Sequence, residues 1–179
     1  MNDPEAFWAR HRQEAFHLAL LLAGSREAAD EVVQEAWVEL LRSRGRFDPS
    51  KGSERAWFLG ILRHKAQRLA RSGRRKPLSL DLPIFATLLA VEEGEGDPVE
   101  RREELAALLK SLEVLPEDQR EAVSCRWILG WNNREMAEAW GLTPEAARQR
   151  AHRGLILLRE ALAKKSDKSG HALRRPENG

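Results

Sequence analysis

Apolar residues recur at helical spacing along most of the chain, in segments that Gly, Pro and Ser interrupt. The first three segments predict helices over residues 6–23, 26–44 and 54–73. Each carries a wide apolar stripe that a neighbouring element has to cover. We therefore expect an all-α fold with a small N-terminal domain at residues 1–77.

The chain changes character after this domain. Residues 77–98 contain three prolines, two glycines and many acids, which favours a linker over a packed element. Helical spacing returns near Val99, and the acidic linker is predicted at residues 78–104. A second small helical domain is expected at residues 105–163. Residues 164–179 show no period, which predicts a basic, disordered tail.

Residues 132–158 contain the most informative pattern, a short helix and a longer helix with a tight corner between them. Gly141 supplies a left-handed end, Thr143 can cap the second helix, and Pro144 suits its first position. Small and aliphatic residues then form one inward stripe. These features predict a helix-turn-helix in the C-terminal domain. The stripe consists of Ala147, Ala151, Leu155, Leu158 and Leu162.

The outward face of the second helix is basic and rich in hydrogen-bonding groups. Arg can bond guanine bidentately and Gln can bond adenine, so such a face fits a major groove. A solvated surface helix is the alternative, but the corner, the cap and the small inward residues together favour DNA binding. The candidate residues are Arg148, Gln149, Arg150, His152 and Arg153.

A second basic surface is predicted on the third helix and on the loop before it. Phe47 is the only apolar residue of loop 45–53, where it can stack on an unpaired base or simply pin the loop to the core. His64, Arg68, Arg71 and Arg75 recur as a ridge that can follow a phosphate backbone. The inward side of this helix is expected to carry Trp57, Phe58, Ile61, Leu62, Ala66 and Leu69.

Charge and composition narrow the class of protein. The net charge is only +2, but residues 54–77 hold eight Lys or Arg and one acid. Such a block favours a nucleic-acid partner. The single cysteine excludes an internal disulfide, and no signal peptide or membrane span is apparent, so a cytoplasmic protein without a membrane partner is predicted. The histidines lack ligand spacing and no catalytic motif appears, so we expect no metal, no cofactor and no enzyme.

Taken in order, these segments resemble the extracytoplasmic-function (ECF) group of bacterial sigma factors. Residues 29–37 (ADEVVQEAW) resemble the family's region 2.2, and residues 55–66 (RAWFLGILRHKA) resemble regions 2.3 and 2.4. Residues 115–123 (LPEDQREAV) and 134–143 (REMAEAWGLT) resemble region 4. The match covers about residues 7–162. It depends on the order of all four segments more than on any single motif.

The resemblance implies a promoter-specificity subunit of RNA polymerase. Glu31, Gln34 and Glu35, which on spacing alone form an ordinary solvated face, would dock on core RNA polymerase. Arg46, Phe47, His64, Arg68 and Arg71 would take the melted −10 strand of promoter DNA, and the five candidates on the recognition helix would read the −35 duplex. The acidic linker would lie in the polymerase's RNA path. An anti-sigma factor is a further candidate partner.

Three places depart from the family's pattern. Glu145 and Ala146 stand where Gly-Thr is frequent, so an unusual −35 preference is expected. Gly60 replaces a bulkier, often basic residue and weakens the third helix. Trp140 replaces a small aliphatic residue.

Two alternative functions are compatible with parts of this pattern. An autonomous, dimeric helix-turn-helix regulator would use the N-terminal helices to dimerise and would bind a palindromic operator. An adaptor that binds only other proteins would leave the basic ridge without a role.

Overall fold

The computed structural model describes residues 3–77 and 97–172. Within them every regular element is helical, so the predicted all-α class is confirmed. Short 3-10 turns cover Arg44–Arg46 and Pro49–Lys51, and a π-helical turn covers Ser124–Ile128. The α-helices are α1 (Pro4–Ala23), α2 (Arg26–Ser43), α3 (Glu54–Arg71), α4 (Pro98–Leu112), α5 (Glu117–Val123), α6 (Asn133–Trp140) and α7 (Pro144–Ala172).

Helices α1, α2 and α3 pack together as an N-terminal unit. Its centre is aromatic: the Phe58 ring lies 5.8 Å from Phe7 and 6.1 Å from Trp37, both edge-on. Ser25 caps α2 by accepting a hydrogen bond from a backbone N–H, and Ser53 caps α3 in the same way. The apolar stripes and the two serine caps therefore set the boundaries of these helices.

Helices α4 to α7 form a C-terminal unit that ends in the predicted helix-turn-helix. Asn132 and Glu135 make a reciprocal capping box at the start of α6. Gly141 adopts φ 64° at the corner, where a side chain would be strained, and Thr143 Oγ1 accepts from Ala146 N at 3.2 Å. These local features orient α7 against the rest of the unit.

Two sequence-based boundaries need correction. Helix α4 begins at Pro98, inside the predicted linker, because Asp97 accepts from Val99 N and a proline is favourable at a first helical position. Helix α7 continues to Ala172, nine residues into the predicted disordered tail. A helix that is already nucleated can continue without an apolar stripe, and no proline interrupts it before Pro176. The rest of both predicted segments, residues 78–96 and 173–179, lies outside the described residues.

The two units are in direct contact, and this contact is called the junction below. Helix α3 of the N-terminal unit lies against α6 of the C-terminal unit, and their buried residues belong to one apolar cluster. The helices approach closely at Gly60, since a Cβ at this position would lie 3.0 Å from the carbonyl oxygen of Ala139. The two predicted domains are thus joined by packing as well as by the chain.

Phe58 offers a test of the aromatic centre. Its side chain is 0% exposed, so Phe58→Ala is expected to lower the free energy of unfolding by about 3–5 kcal/mol through lost burial and a residual cavity. Urea denaturation followed by circular dichroism measures this. Val99→Ala is the control, because Val99 is 62% exposed and a change within about 0.5 kcal/mol is expected there. Similar losses in both variants would contradict the assignment of the core.

Candidate nucleic-acid and polymerase-docking surfaces

A cleft of about 600 Å³ lies along one face of α3. It gathers four of the residues predicted to bind nucleic acid, and it is also lined by two residues of α6. Three walls therefore form it: the loop before α3, α3 itself, and the C-terminal unit. The four predicted residues are Arg46, Phe47, His64 and Arg68.

Helical spacing explains why α3 presents these groups together. Trp57, Ile61, His64 and Arg68 follow each other at steps of four, three and four residues, so they lie on one side of the helix. Helical spacing predicts that Trp57 and Ile61 lie on the buried side of α3. Both are instead half-buried and line the cleft. The regular step from Trp57 to His64 was the signal that could have revealed them.

The position of Phe47 is compatible with both predicted roles, pinning the loop and stacking on a base. Its ring lies 5.4 Å from the Trp57 ring, which pins the loop to α3. The same two side chains also line the cleft. An aromatic pair on the wall of a cationic cleft suits stacking with an unpaired base.

The predicted basic ridge is shorter than its spacing suggested. Arg71 is exposed in the last turn of α3 but does not line the cleft. Arg75 turns away altogether: it donates to Leu22 O at 3.1 Å and binds Glu113 with two hydrogen bonds. Because α3 ends at Arg71, helical spacing no longer governs where Arg75 points.

Acidic groups also reach the cleft. Glu39, Asp48 and Glu138 line it together with the basic residues. Glu138 comes from α6 and accepts a hydrogen bond from the backbone N–H of Ser53. This hydrogen bond lowers the pKa of the Glu138 carboxyl below its ordinary value, so the group is charged at neutral pH. No local sequence pattern points to Glu138, because it lies 85 residues from Ser53 along the chain.

The recognition helix α7 exposes four of its five predicted residues, namely Arg148, Gln149, His152 and Arg153. Glu145 orients two of them. Its carboxylate accepts from Arg148 at 2.7 and 2.9 Å and from the Gln149 amide at 3.1 Å. These hydrogen bonds lower the pKa of the Glu145 carboxyl to about 2.

Arg150 differs from the other four. It is half-buried, its guanidinium lies 5.6 Å from the centre of the Trp140 ring, and its Nε is 3.6 Å from Asp118. Its side chain therefore contacts its own unit rather than the outward face. The sequence grouped it with its neighbours because it follows Gln149, although adjacent helical residues diverge by about 100°.

The predicted docking residues lie on α2. Gln34 and Glu35 are exposed, and Glu31 is half-exposed. Glu31 accepts from Arg74 Nη1 at 3.1 Å, and Glu35 lies 3.8 Å from Lys65. Exposed ion pairs contribute only about 0–1 kcal/mol, so a partner can exchange them easily. Val38 is 38% exposed and gives the same helix an apolar group.

The described part of the chain contains no group of three or more His, Cys, Asp or Glu side chains that could hold a metal ion. Within residues 3–77 and 97–172, no helix has the length and apolar composition that a bilayer crossing requires.

Comparisons with known proteins match both helical units of the chain. The family model for Sigma-70 region 2 matches residues 7–76, and that for Sigma-70, region 4 matches residues 105–158. RNA polymerase sigma factor CarQ of Myxococcus xanthus is 32% identical over 160 residues, covering 88% of each chain. ECF RNA polymerase sigma factor ShbA of Streptomyces griseus subsp. griseus is 31% identical over 138 residues, covering 75% of this chain and 72% of ShbA.

A solved structure shows a similar fold. The sigma factor RpoE of Bartonella quintana, in complex with the anti-sigma factor NepR, has a TM-score of 0.64. The superposition covers 91% of this chain and 98% of that one, at 19% identity, so the likeness concerns the fold.

Glu145 provides a pH-dependent test of the recognition helix. Titration followed by NMR is expected to give its carboxyl a pKa of about 2, against an ordinary 4.5. Because the pKa is lowered in the folded state, the stability from this contact is present above about pH 4.5 and is lost as the pH falls through about 2.

Arg148→Ala should return the pKa of Glu145 towards 4.5, since hydrogen bonding by Arg148 is the main cause of the shift. Arg153→Ala is the matched control and should leave the pKa low. A pKa near 4.5 in the unaltered protein would show that Glu145 does not orient Arg148.

Proposed function

The chain belongs to the extracytoplasmic-function sigma factors, the promoter-specificity subunits of bacterial RNA polymerase, and we propose how its surfaces divide that work. The N-terminal domain, residues 1–77, docks on core polymerase and binds the −10 element. The C-terminal domain, residues 105–163, binds the −35 element. The observation that supports this division most is the pair of separate basic surfaces, one along α3 and one on α7.

The cleft along α3 receives the melted −10 strand. Its volume, about 600 Å³, lies in the ordinary range for small-ligand pockets, so a base turned out of the helix fits within it. Phe47 and Trp57 offer faces for stacking, while Arg46, His64 and Arg68 stand beside them to contact phosphate. Arg71 extends the phosphate contact beyond the cleft, where it is exposed.

Helix α7 enters the major groove of the −35 element. Arg148 and Gln149 contact base edges, and His152 and Arg153 contact bases or phosphates one turn further. Glu145 holds Arg148 and Gln149 in position. Arg150 acts indirectly, by fixing α7 to Trp140 and Asp118.

Docking on core polymerase uses Glu31, Gln34 and Glu35 on α2. The partner surface is basic, because it has to replace the cations Arg74 and Lys65 that now lie beside two of these residues. The acidic part of the chain that precedes α4 occupies the polymerase's RNA path. The protein acts in the cytoplasm, where its polymerase is. An anti-sigma factor is a proposed partner, supported by the complex in which RpoE of Bartonella quintana was solved.

The family matches do not favour an autonomous dimeric regulator. The two proposals differ in their first binding partner. A sigma factor needs core polymerase for specific promoter binding, whereas a regulator binds its operator alone and as a dimer.

Co-elution with core polymerase tests the docking surface. The purified protein is mixed with bacterial core polymerase and separated by gel filtration, and a stable complex is expected. The triple alanine variant of Glu31, Gln34 and Glu35 should lose the complex, because it removes two charges and an amide from the docking face. A matched triple alanine variant of Glu5, Gln13 and Glu27 changes the same residue types at exposed positions and should still co-elute.

Failure of the unaltered protein to co-elute, with the chain folded and dimeric, would favour the autonomous regulator. If both triple variants lose the complex equally, polymerase binding depends on the overall negative charge of the protein and not on Glu31, Gln34 and Glu35 in particular.

Base reading by α7 is tested with Arg148→Ala in the assembled holoenzyme. If Arg148 makes a bidentate base contact, discrimination at one −35 position should fall by about 1–3 kcal/mol. Run-off transcription on promoters altered at single −35 positions measures this. Arg159→Ala removes the same charge from an exposed position further along α7 and should weaken all promoters alike. Loss of discrimination in both variants would argue against a specific role for Arg148.

A further inference from the structure

Lys65 on α3 lies between the docking face (Glu31, Gln34 and Glu35) and the cleft. Its Nζ atom lies 3.8 Å from the Glu35 carboxylate and 3.9 Å from the Glu39 carboxylate. Glu35 belongs to the docking face on α2, whereas Glu39, one turn further along α2, lines the cleft. One ammonium group is thus shared between carboxylates of two different surfaces.

A smaller groove, of about 180 Å³, lies beside the docking face and is lined by Glu31 and Glu35. Two residues of α3, Lys65 and Arg68, line both this groove and the cleft. The groove and the cleft therefore share a wall. A group bound on either side of that wall lies close to the ammonium group of Lys65.

Helical geometry explains this position of Lys65. At about 100° per residue, Lys65 lies about 100° around α3 from His64, which lines the cleft, and about 60° from the buried Leu62. It therefore stands at the edge between the cleft side and the core side of the helix. Its side chain is only 19% exposed, which is low for a lysine, so most of its stem is covered by the protein.

The two carboxylates hold Lys65 weakly. Both separations exceed the length of a charge-assisted hydrogen bond, about 2.7–2.9 Å, and the side chains of Glu35 and Glu39 are 54% and 44% exposed. Exposed pairs of this kind contribute little to stability, because water and salt screen them. A competing ion can therefore replace either partner.

Such an exchange changes the charge of the cleft. Carboxylates already oppose phosphate binding there, since Glu39, Asp48 and Glu138 line it. While Glu35 and Glu39 together neutralise Lys65, its ammonium group offers little to a phosphate. Once a basic partner takes Glu35, only Glu39 remains beside Lys65, and the cleft becomes more positive.

We propose that Lys65 is a further contact for a phosphate of the −10 strand, and that Glu35 competes with the strand for its ammonium group. Docking of Glu35 on core polymerase releases Lys65 to the strand. The inference rests on the proposed function, because that function assigns Glu35 to the docking face and the cleft to the strand. It adds one residue that serves both surfaces.

The test measures strand binding by the full chain without polymerase. Fluorescence anisotropy with a fluorescein-labelled single-stranded oligonucleotide of mixed sequence, at several salt concentrations, gives the affinity and its salt dependence. Glu35→Gln removes the competing carboxylate from a position that does not line the cleft. Glu27→Gln is the matched control, because it removes the same charge from an exposed position of α2 that lines neither the cleft nor the groove.

Glu35→Gln should bind the oligonucleotide about threefold more tightly, a modest gain because the exposed pair that it breaks is weak. The slope of log K against log salt concentration should steepen by up to about 0.7, the value for one more phosphate contact with a single strand. Glu27→Gln should give a smaller gain and an unchanged slope, because it removes a charge without releasing a cation of the cleft.

Lys65→Gln decides whether the gain passes through Lys65. In the double variant Glu35→Gln/Lys65→Gln, the tighter binding and the steeper slope should both disappear. Lys65→Gln alone should change the affinity much less, because Glu35 and Glu39 already neutralise the ammonium group. Lys65→Arg in the Glu35→Gln background should keep the gain, since arginine supplies the same charge. Thermal melting followed by circular dichroism checks that each variant is folded.

Three outcomes would overturn the proposal. The first is an equal gain in the Glu35→Gln and Glu27→Gln variants, and the second is a gain that survives the loss of Lys65. The third is an equal loss from Lys65→Gln with and without Glu35, which would show that the two do not compete.

Failure of the proposed function looks different. If the cleft does not bind the strand, Phe47→Ala will bind the oligonucleotide as tightly as the unaltered protein. If Glu35 does not dock on polymerase, Glu35→Gln will co-elute with core polymerase undiminished. If only the inference about Lys65 fails, Phe47→Ala still weakens oligonucleotide binding and Glu35→Gln still weakens co-elution, but Glu35→Gln gains no more affinity for the oligonucleotide than its control.

Discussion

The burial of the Glu121 carboxylate constrains how the two halves of this protein meet. A charged group that is 1% exposed needs a cation inside the protein, and Arg63 on α3 supplies it. The distance of 2.6 Å leaves little freedom in how α5 lies against α3. Helix α6 of the same unit supplies Glu138 and Ala139 to one wall of the cleft. A charge pair that lies outside the cleft therefore helps to hold the unit that bounds it.

Helix α3 combines three functions on three sides. One side carries Phe58 into the aromatic core, a second presents Trp57 and His64 to the cleft, and a third carries Arg63 to the junction. A helix of 18 residues can do this because its side chains point outward in all directions at 100° steps. Because one helix carries all three sides, the cleft and the contact with the C-terminal unit cannot move independently.

Family membership explains the shared features, while the contact between the two units uses residues that differ from the family's pattern. From the sequence, Gly60 is expected to weaken α3, and Trp140 is larger than the small aliphatic residue usual at its position. In the structure, Gly60 allows α6 to approach α3 closely. The Arg63 guanidinium lies 5.7 Å from the centroid of the Trp140 ring. The contact between the units combines buried apolar residues with ion pairs, and salt weakens those pairs that reach the surface.

The sequence alone determined the helices, their apolar stripes, the helix-turn-helix and the family, because spacing, caps and corners act between residues a few positions apart. Tertiary structure decided what depends on distant partners: Arg63 meets Glu121 across 58 residues, and Arg75 turns from the predicted ridge to Glu113. Arg150 likewise left the predicted reading face because Trp140 and Asp118 lie beside it. Periodicity gives the side of a helix on which a residue lies, but the energy of a charge depends on which groups the fold brings within a few ångströms of it.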